Sequence, residues 1–308
     1  ILEEFNMRRG RPDSVQYEDY HTTVFKGHPI GRTTIGTQEN INHISRDDLI
    51  HHMNKFYTAA NMTLTIIGNV ENQEQIVEQI EALFGDITTG VRNIENNHKP
   101  IFNATEIREE IAEKNGTKLI IGFPLSASSN IKEDITIQLM TNILCRGQGS
   151  RLWERLRIKE DGLVYGVNMY NYRYSDTGIC FIKSETRDVN LVLEIIIDEL
   201  LKISSSDVND EELCRVKKRY EFNNTDRSSE QKINIYMDNL KQYGRVISTE
   251  EATAALNEIN KQDIKRVAAN IFSHQPTIST SGKVSEQKPY VYFCDLLKQG
   301  KEHLLTEY

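Results

Sequence analysis

Hydrophobic and polar positions recur along this chain with two periods, and the switches between them outline its elements. In SRDDLIHHMNKFY, Ser45 stands where a helix opens. Asp48 falls at the third helical position, where a carboxylate suits the positive end of the helix dipole. Leu49, Met53 and Phe56 then share one face. The run MTLTIIG (62–68) is rich in strand formers and stops at a glycine, so it predicts a strand. ENQEQIVEQIEALFG predicts a helix with Ile76, Val77, Ile80, Leu83 and Phe84 in one stripe and Gly85 as its stop.

From there to about residue 103 the chain turns polar, and TTGVRNIENNHKP has the composition of a linker. Strands are predicted at about 104–113 and 117–123, then a helix over about 131–145, then longer strands at about 163–173 and 177–186. Four or five helices fill 188–272. TISTSGKV predicts a last strand before a tail with some helical character.

Helix, short loop and strand occur twice in one order. SRDDLIHHMNKFY with TAANMTLTIIGNV resembles NKQDIKRVAANIF with SHQPTISTSGKV. Asp48 matches Asp263, Leu49 matches Ile264 and Tyr57 matches Phe272. Gly68-Asn69-Val70 matches Gly282-Lys283-Val284, and upstream Glu4-Phe5-Asn6 matches Glu221-Phe222-Asn223. By that symmetry about 115 residues are expected ahead of Ile1, because half a domain leaves its sheet face uncovered.

Composition narrows the class. The chain has 308 residues, 38% of them hydrophobic, and a formal net charge of −8. That suffices for a sizeable core in one or two domains and is the opposite of a nucleic-acid footprint. No run is long enough to span a membrane as a helix. Cys145, Cys180, Cys214 and Cys294 stand singly. They predict reduced core thiols and favour a cytoplasmic setting over a disulfide framework. The sequons at Asn61, Asn103, Asn115 and Asn223 carry little weight in an Asn-rich chain.

Four stretches together resemble the pitrilysin family of zinc peptidases, in particular its branch around mitochondrial processing peptidase. They are FKGHPIGRTTIGTQENI (25–41), the block HISRDDLIHHMNKFYTAANMTLTIIGNV, GSRLWERLRIKEDGLVYGV (149–167), and the opening ILEEFNMRRGRPD, which is similar to the family's glutamate helix. The resemblance covers most of 1–285 in the correct order. It implies an α+β fold of two related domains, each a mainly antiparallel sheet with helices packed on one face. Residues 1–90 are then the C-terminal half of the first, metal-site domain, 91–103 a linker, 104–285 the second domain and 286–308 a tail.

The family's zinc site is the inverted motif H-x-x-E-H, with a glutamate about 75 residues further on as third ligand. Two histidines four apart share a helix face, and three protein ligands leave one position for water. The resemblance makes Glu4 that third ligand, while Glu3 points about 100° away on the same helix. The plainer reading of Glu4 is a surface pair with Arg8, four residues on. None of the eight histidines belongs to an H-x-x-E-H pattern, and His51-His52 has the wrong spacing. The expectation is one Zn2+ in the full-length protein, not held by this piece.

In the second domain the resemblance implies an arginine and a tyrosine that hold the substrate backbone and steady the oxyanion. They match Arg157 and Tyr165, eight residues apart where seven is usual, so Arg155 stays open as an alternative. Without the resemblance Tyr165 reads as a packed strand aromatic. Ser150-Arg151 positions the next helix and lacks a nearby histidine base. Gly147-Gln148-Gly149 follows a helix, which argues against a phosphate loop. The implied function is a fragment of a zinc endopeptidase hydrolysing extended peptides or presequences, in a homo- or hetero-oligomer. The alternatives are a non-catalytic partner subunit of a two-chain processing peptidase and, less well supported by a half-domain, a stand-alone binding module.

Overall fold

The computed structural model describes the chain apart from residues 93–97, 112–115, 128–129, 161, 175, 207, 226 and 306–308. The middle of the expected linker and the sequon at Asn115 lie outside the described residues.

One five-stranded sheet organises the described residues. Its strands are β1 (Glu106–Glu110), β2 (Thr117–Ser126), β3 (Val164–Arg173), β4 (Thr177–Thr186) and β5 (Thr277–Gly282), in the order β1-β5-β2-β4-β3. All pairs are antiparallel except β1 with β5. In the central strand β2, Ile121 lies opposite Ile182 of β4 and Ile278 of β5. Its sequence, KLIIGFPL, is apolar at nearly every position because both pleat faces are covered.

Leu119, Ile121 and Phe123 face one layer of helices: α6 (Ile131–Cys145), α8 (Val189–Ser205) and α12 (Lys261–Phe272). On α8, Val192, Leu193, Ile196, Leu200 and Ile203 recur at three- and four-residue steps and are all buried. The C-terminal helix α13 (Tyr290–Leu305) adds Phe293 and Leu297 to the same core. Ile120 and Phe181 point the other way, onto Tyr20, Val24 and Phe25 of the N-terminal segment.

That second layer is α2 (Pro12–Val24), which the apolar periodicity did not reveal. It crosses the sheet at Gly122, where a Cβ would lie 1.8 Å from the Tyr20 hydroxyl. Gln16 fixes its register by donating from Nε2 to the carbonyls of Lys118 and Ser279.

Before and after α2 come α1 (Leu2–Arg9), α3 (Gln38–His43), α4 (Arg46–Phe56) and α5 (Gln73–Phe84). The capping reading of α4 holds: Ser45 and Asp48 cap each other's backbone N–H groups. The strand expected at 62–68 does not form. Met62 has extended backbone (φ −110°, ψ 145°), but residues 62–67 find no ladder partner among the described residues. A strand requires a neighbour to satisfy its backbone groups, and propensity alone supplies none. The repeat shows the consequence. Ile264, over the sheet, is fully buried, whereas its counterpart Leu49 is 56% exposed.

Candidate functional site

The segment between α6 and β3 builds the predicted substrate contacts. Ser150 donates from Oγ to the Gly147 carbonyl and opens α7 (Arg151–Trp153), which passes directly into a π-helical turn at Glu154–Lys159. Arg151 makes a two-pronged pair with Glu212 at 2.8 and 2.7 Å, fixing this segment on α9 (Asp210–Thr225). Gly162, at φ +75°, reverses the chain in the left-handed region that glycine tolerates best.

Winding by five residues per hydrogen bond absorbs one extra residue in a turn. Here it sorts the two candidate arginines. Arg155 is ion-paired with Asp198 and Glu199 of α8, so it clamps the fold. Arg157 turns outward, its guanidinium carbon 5.6 Å from the Tyr165 ring centroid, and its Nη1 donates to the Val164 carbonyl at 3.2 Å. Tyr165 is 86% exposed, so the packed-aromatic reading fails. A register shift between Val164 and Val167 lets it swing out of the ladder. The stacking contributes about 0.5–1 kcal/mol at such an exposed site. It holds a cation and a phenol side by side at the head of β3, an edge strand with no partner on its outer side among the described residues.

Glu4 lies on the exposed face of α1. The alternative surface pair is not the one formed, because Arg8 reaches Glu18 of α2 at 3.8 Å. No group of three or more His, Cys, Asp or Glu side chains among the described residues could hold a metal ion. Of the histidines, His21 meets the Tyr174 hydroxyl at 3.1 Å, and His28 meets the His98 carbonyl at 2.9 Å. The described residues therefore do not fit a hydrolytic zinc. Burial raises the Cys145 thiol far above its ordinary value and pushes Cys180 up to about 12, so both are inert core groups.

A wide cavity lies away from the Arg157–Tyr165 pair, toward the other end of β3. It is a cleft of about 1480 Å³ between the C-terminal half of β3, α6, α9, α10 (Ser229–Tyr243) and the start of α11 (Thr249–Glu258). At its base the buried Asp134 of α6 pairs with Arg173 of β3. It also accepts hydrogen bonds from Tyr243 Oη and, at 2.6 Å, from Gln242 Nε2 at the end of α10. Sequence reading missed this cluster. Its one signal is an acid on α6, a helix otherwise buried along nearly its whole length.

The described residues thus carry two candidate features, the exposed arginine–tyrosine pair at the head of β3 and the cleft toward its other end. The comparisons supply the family. This chain belongs to the M16 peptidase family: the family model described as "Peptidase M16 inactive domain" matches residues 43–220. It is 31% identical over 289 residues to an "uncharacterized zinc protease" of Rickettsia bellii (strain RML369-C), covering 92% of this chain and 68% of that protein. It is 25% identical over 311 residues to a probable mitochondrial-processing peptidase subunit beta of Arabidopsis thaliana, covering 95% of this chain and 57% of that one.

The fold is similar to the crystal structure of a peptidase M16 inactive domain from Pseudomonas fluorescens. There the TM-score is 0.76 at 20% identity over 94% of this chain and 70% of the other. It is also similar to a chain of complex III2 from Candida albicans, with a TM-score of 0.82 at 17% identity over 95% of this chain and 72% of that one. The pitrilysin and processing-peptidase resemblance and the α+β class are thereby borne out.

Proposed function

We propose that this chain is the substrate-holding part of an M16 zinc endopeptidase that acts on extended peptides or presequences. Residues 104–285 are then the second, non-metal domain, and 1–90 the later half of the first. The observation that carries this proposal is the Arg157–Tyr165 pair, exposed together at the head of an open strand edge. Apart from its bond to Val164, Arg157 has no acceptor among the described residues, and Tyr165 Oη has no partner there. Both can donate to the carbonyls of a peptide lying along β3, a mode that binds backbone and tolerates varied side chains. By resemblance alone, Glu4 is proposed as a metal ligand of the longer protein.

A second reading, a non-catalytic partner subunit, draws support from the matched model being that of an inactive domain and from relatives named as alpha and beta processing-peptidase subunits. Either reading implies a homo- or hetero-oligomer. Among the described residues no helix is long and apolar enough to cross a membrane. The four unpaired cysteines support a reducing compartment such as the cytoplasm.

The test uses the gene product expressed from its own start, with a fluorogenic peptide set. Arg157→Ala should lower kcat/KM by about a hundredfold or more, and Tyr165→Phe by less. If the protein binds labelled peptide but cleaves none, and Arg157→Ala weakens binding, it is the partner subunit. Unchanged peptide affinity and turnover in both variants would refute both readings of the pair.

A further inference from the structure

The cleft is cationic in a chain of net charge −8. Arg173 is matched by Asp134, and Lys241 by Asp238 at 3.8 Å. That leaves Arg92, Arg146, Arg227 and Lys232 on the wall against Asp176. Arg227 stands apart from the others. It sits half-buried in the short connection between α9 and α10. Its Nε donates to the Asn223 carbonyl at 3.1 Å and its Nη2 to the Asn224 side-chain oxygen, so two neutral acceptors fix the plane of the guanidinium. Burial pulls its pKa below the ordinary value, and the groups acting the other way are the phenols of Tyr220 and Tyr236 rather than a carboxylate. No acid among the described residues pairs with it.

A partly desolvated cation without a counter-ion costs free energy that a surface arginine does not. Its planar fork, once oriented, matches a carboxylate with two parallel hydrogen bonds. Tyr220 and Tyr236 line the same cleft, and the partial burial of Arg227 strengthens any charge pairing there.

We infer that Arg227 is an anion subsite of the cleft and receives a carboxylate of the bound peptide. This rests on the peptide-binding reading above and adds a preference to it. Two sources present the same group: an acidic side chain and the C-terminal carboxylate. The subsite lies toward the opposite end of β3 from Arg157 and Tyr165, so the two grips would engage one extended peptide at separated points.

Three fluorescein-labelled twelve-residue peptides test this by anisotropy on the gene product. One carries a single Glu and an amidated C-terminus, one Gln and a free C-terminus, and one Gln with an amidated C-terminus. At least one carboxylate peptide should bind about tenfold to a hundredfold more tightly than the uncharged peptide, as expected for a charge-assisted bidentate contact. The Glu and free-terminus peptides show which source is preferred. Arg227→Gln should remove the difference without weakening the uncharged peptide, and Arg227→Lys should retain part of it. Arg157→Ala should weaken all three alike. Equal binding of the three peptides overturns the subsite and leaves the peptide reading standing. A carboxylate preference that survives in Arg227→Gln assigns the anion to another group and also overturns it. Binding of none of them overturns the peptide reading itself.

Discussion

Replacing Asp134 with alanine should destabilise the protein more than any other single change in the cleft. Its side chain is 7% exposed, and the Arg173 partner is 11% exposed. The truncation would leave a buried guanidinium without its carboxylate, and Gln242 and Tyr243 without their acceptor. Removing one member of a buried pair costs about 3–5 kcal/mol. The two hydrogen bonds to the charged oxygen, at about 1.5–3 kcal/mol each, arrive independently at the same range. Against a usual total of about 5–15 kcal/mol, that is a large fraction of the stability.

The loss should appear in urea denaturation as a lower midpoint. Hydrogen exchange should show α10 losing protection first, since α10 has no fully buried residue and its C-terminal end is held by this cluster. The double variant Asp134→Leu with Arg173→Met should recover much of the loss, because neither charge is then stranded. A single variant within about 1 kcal/mol of wild type, or a double variant no better than the single, would refute the claim that this ion pair supports the cleft.

Three further outcomes follow from other contacts. Gly122→Ala should cost about 1–3 kcal/mol in urea denaturation, because its methyl would collide with the Tyr20 hydroxyl, and adding Tyr20→Phe should return part of it. Tyr20→Phe alone should be neutral or gain about 1 kcal/mol, since the buried hydroxyl has no hydrogen-bond partner among the described residues. Burial among Tyr17, Phe25 and Tyr174 holds His21 neutral below its ordinary value, so the unfolded chain binds more protons as pH falls through about 6.5. Stability should be flat above that pH and decline below it, and His21→Phe should flatten that part of the profile. Arg155→Ala should lower stability by about 1 kcal/mol through its partly exposed pairs on α8, and Arg157→Ala should cost no more than its exposed stacking on Tyr165, about 0.5–1 kcal/mol.

Local chemistry was legible in the sequence. The Ser45–Asp48 cap, the helix at 131–145 and the paired strands at about 163–173 and 177–186 all depend on neighbours within a few residues, and all formed close to where the pattern put them. Glu4, Arg157 and Tyr165 became candidates only through the family resemblance, since each belongs to a residue type with ordinary surface or core uses. The eight-residue spacing left Arg155 and Arg157 open. The π turn and the acids of α8, more than 40 positions away, separated them.

What the sequence by itself determined is therefore what short-range forces decide: caps, periodicity and the order of helices and strands. Tertiary structure decided where long-range contact sets the outcome. Residues 62–67 have strand propensity but no ladder neighbour among the described residues. Leu49 and Ile264 occupy matching positions in one repeat, yet only Ile264 meets a sheet. The α2 helix shows weak periodicity because it is held at a few points, Gln16, Tyr20 and Val24, by strands about a hundred or more residues away. The Asp134–Arg173–Tyr243 cluster joins three distant segments, and the desolvation that makes it strong exists only once they have come together.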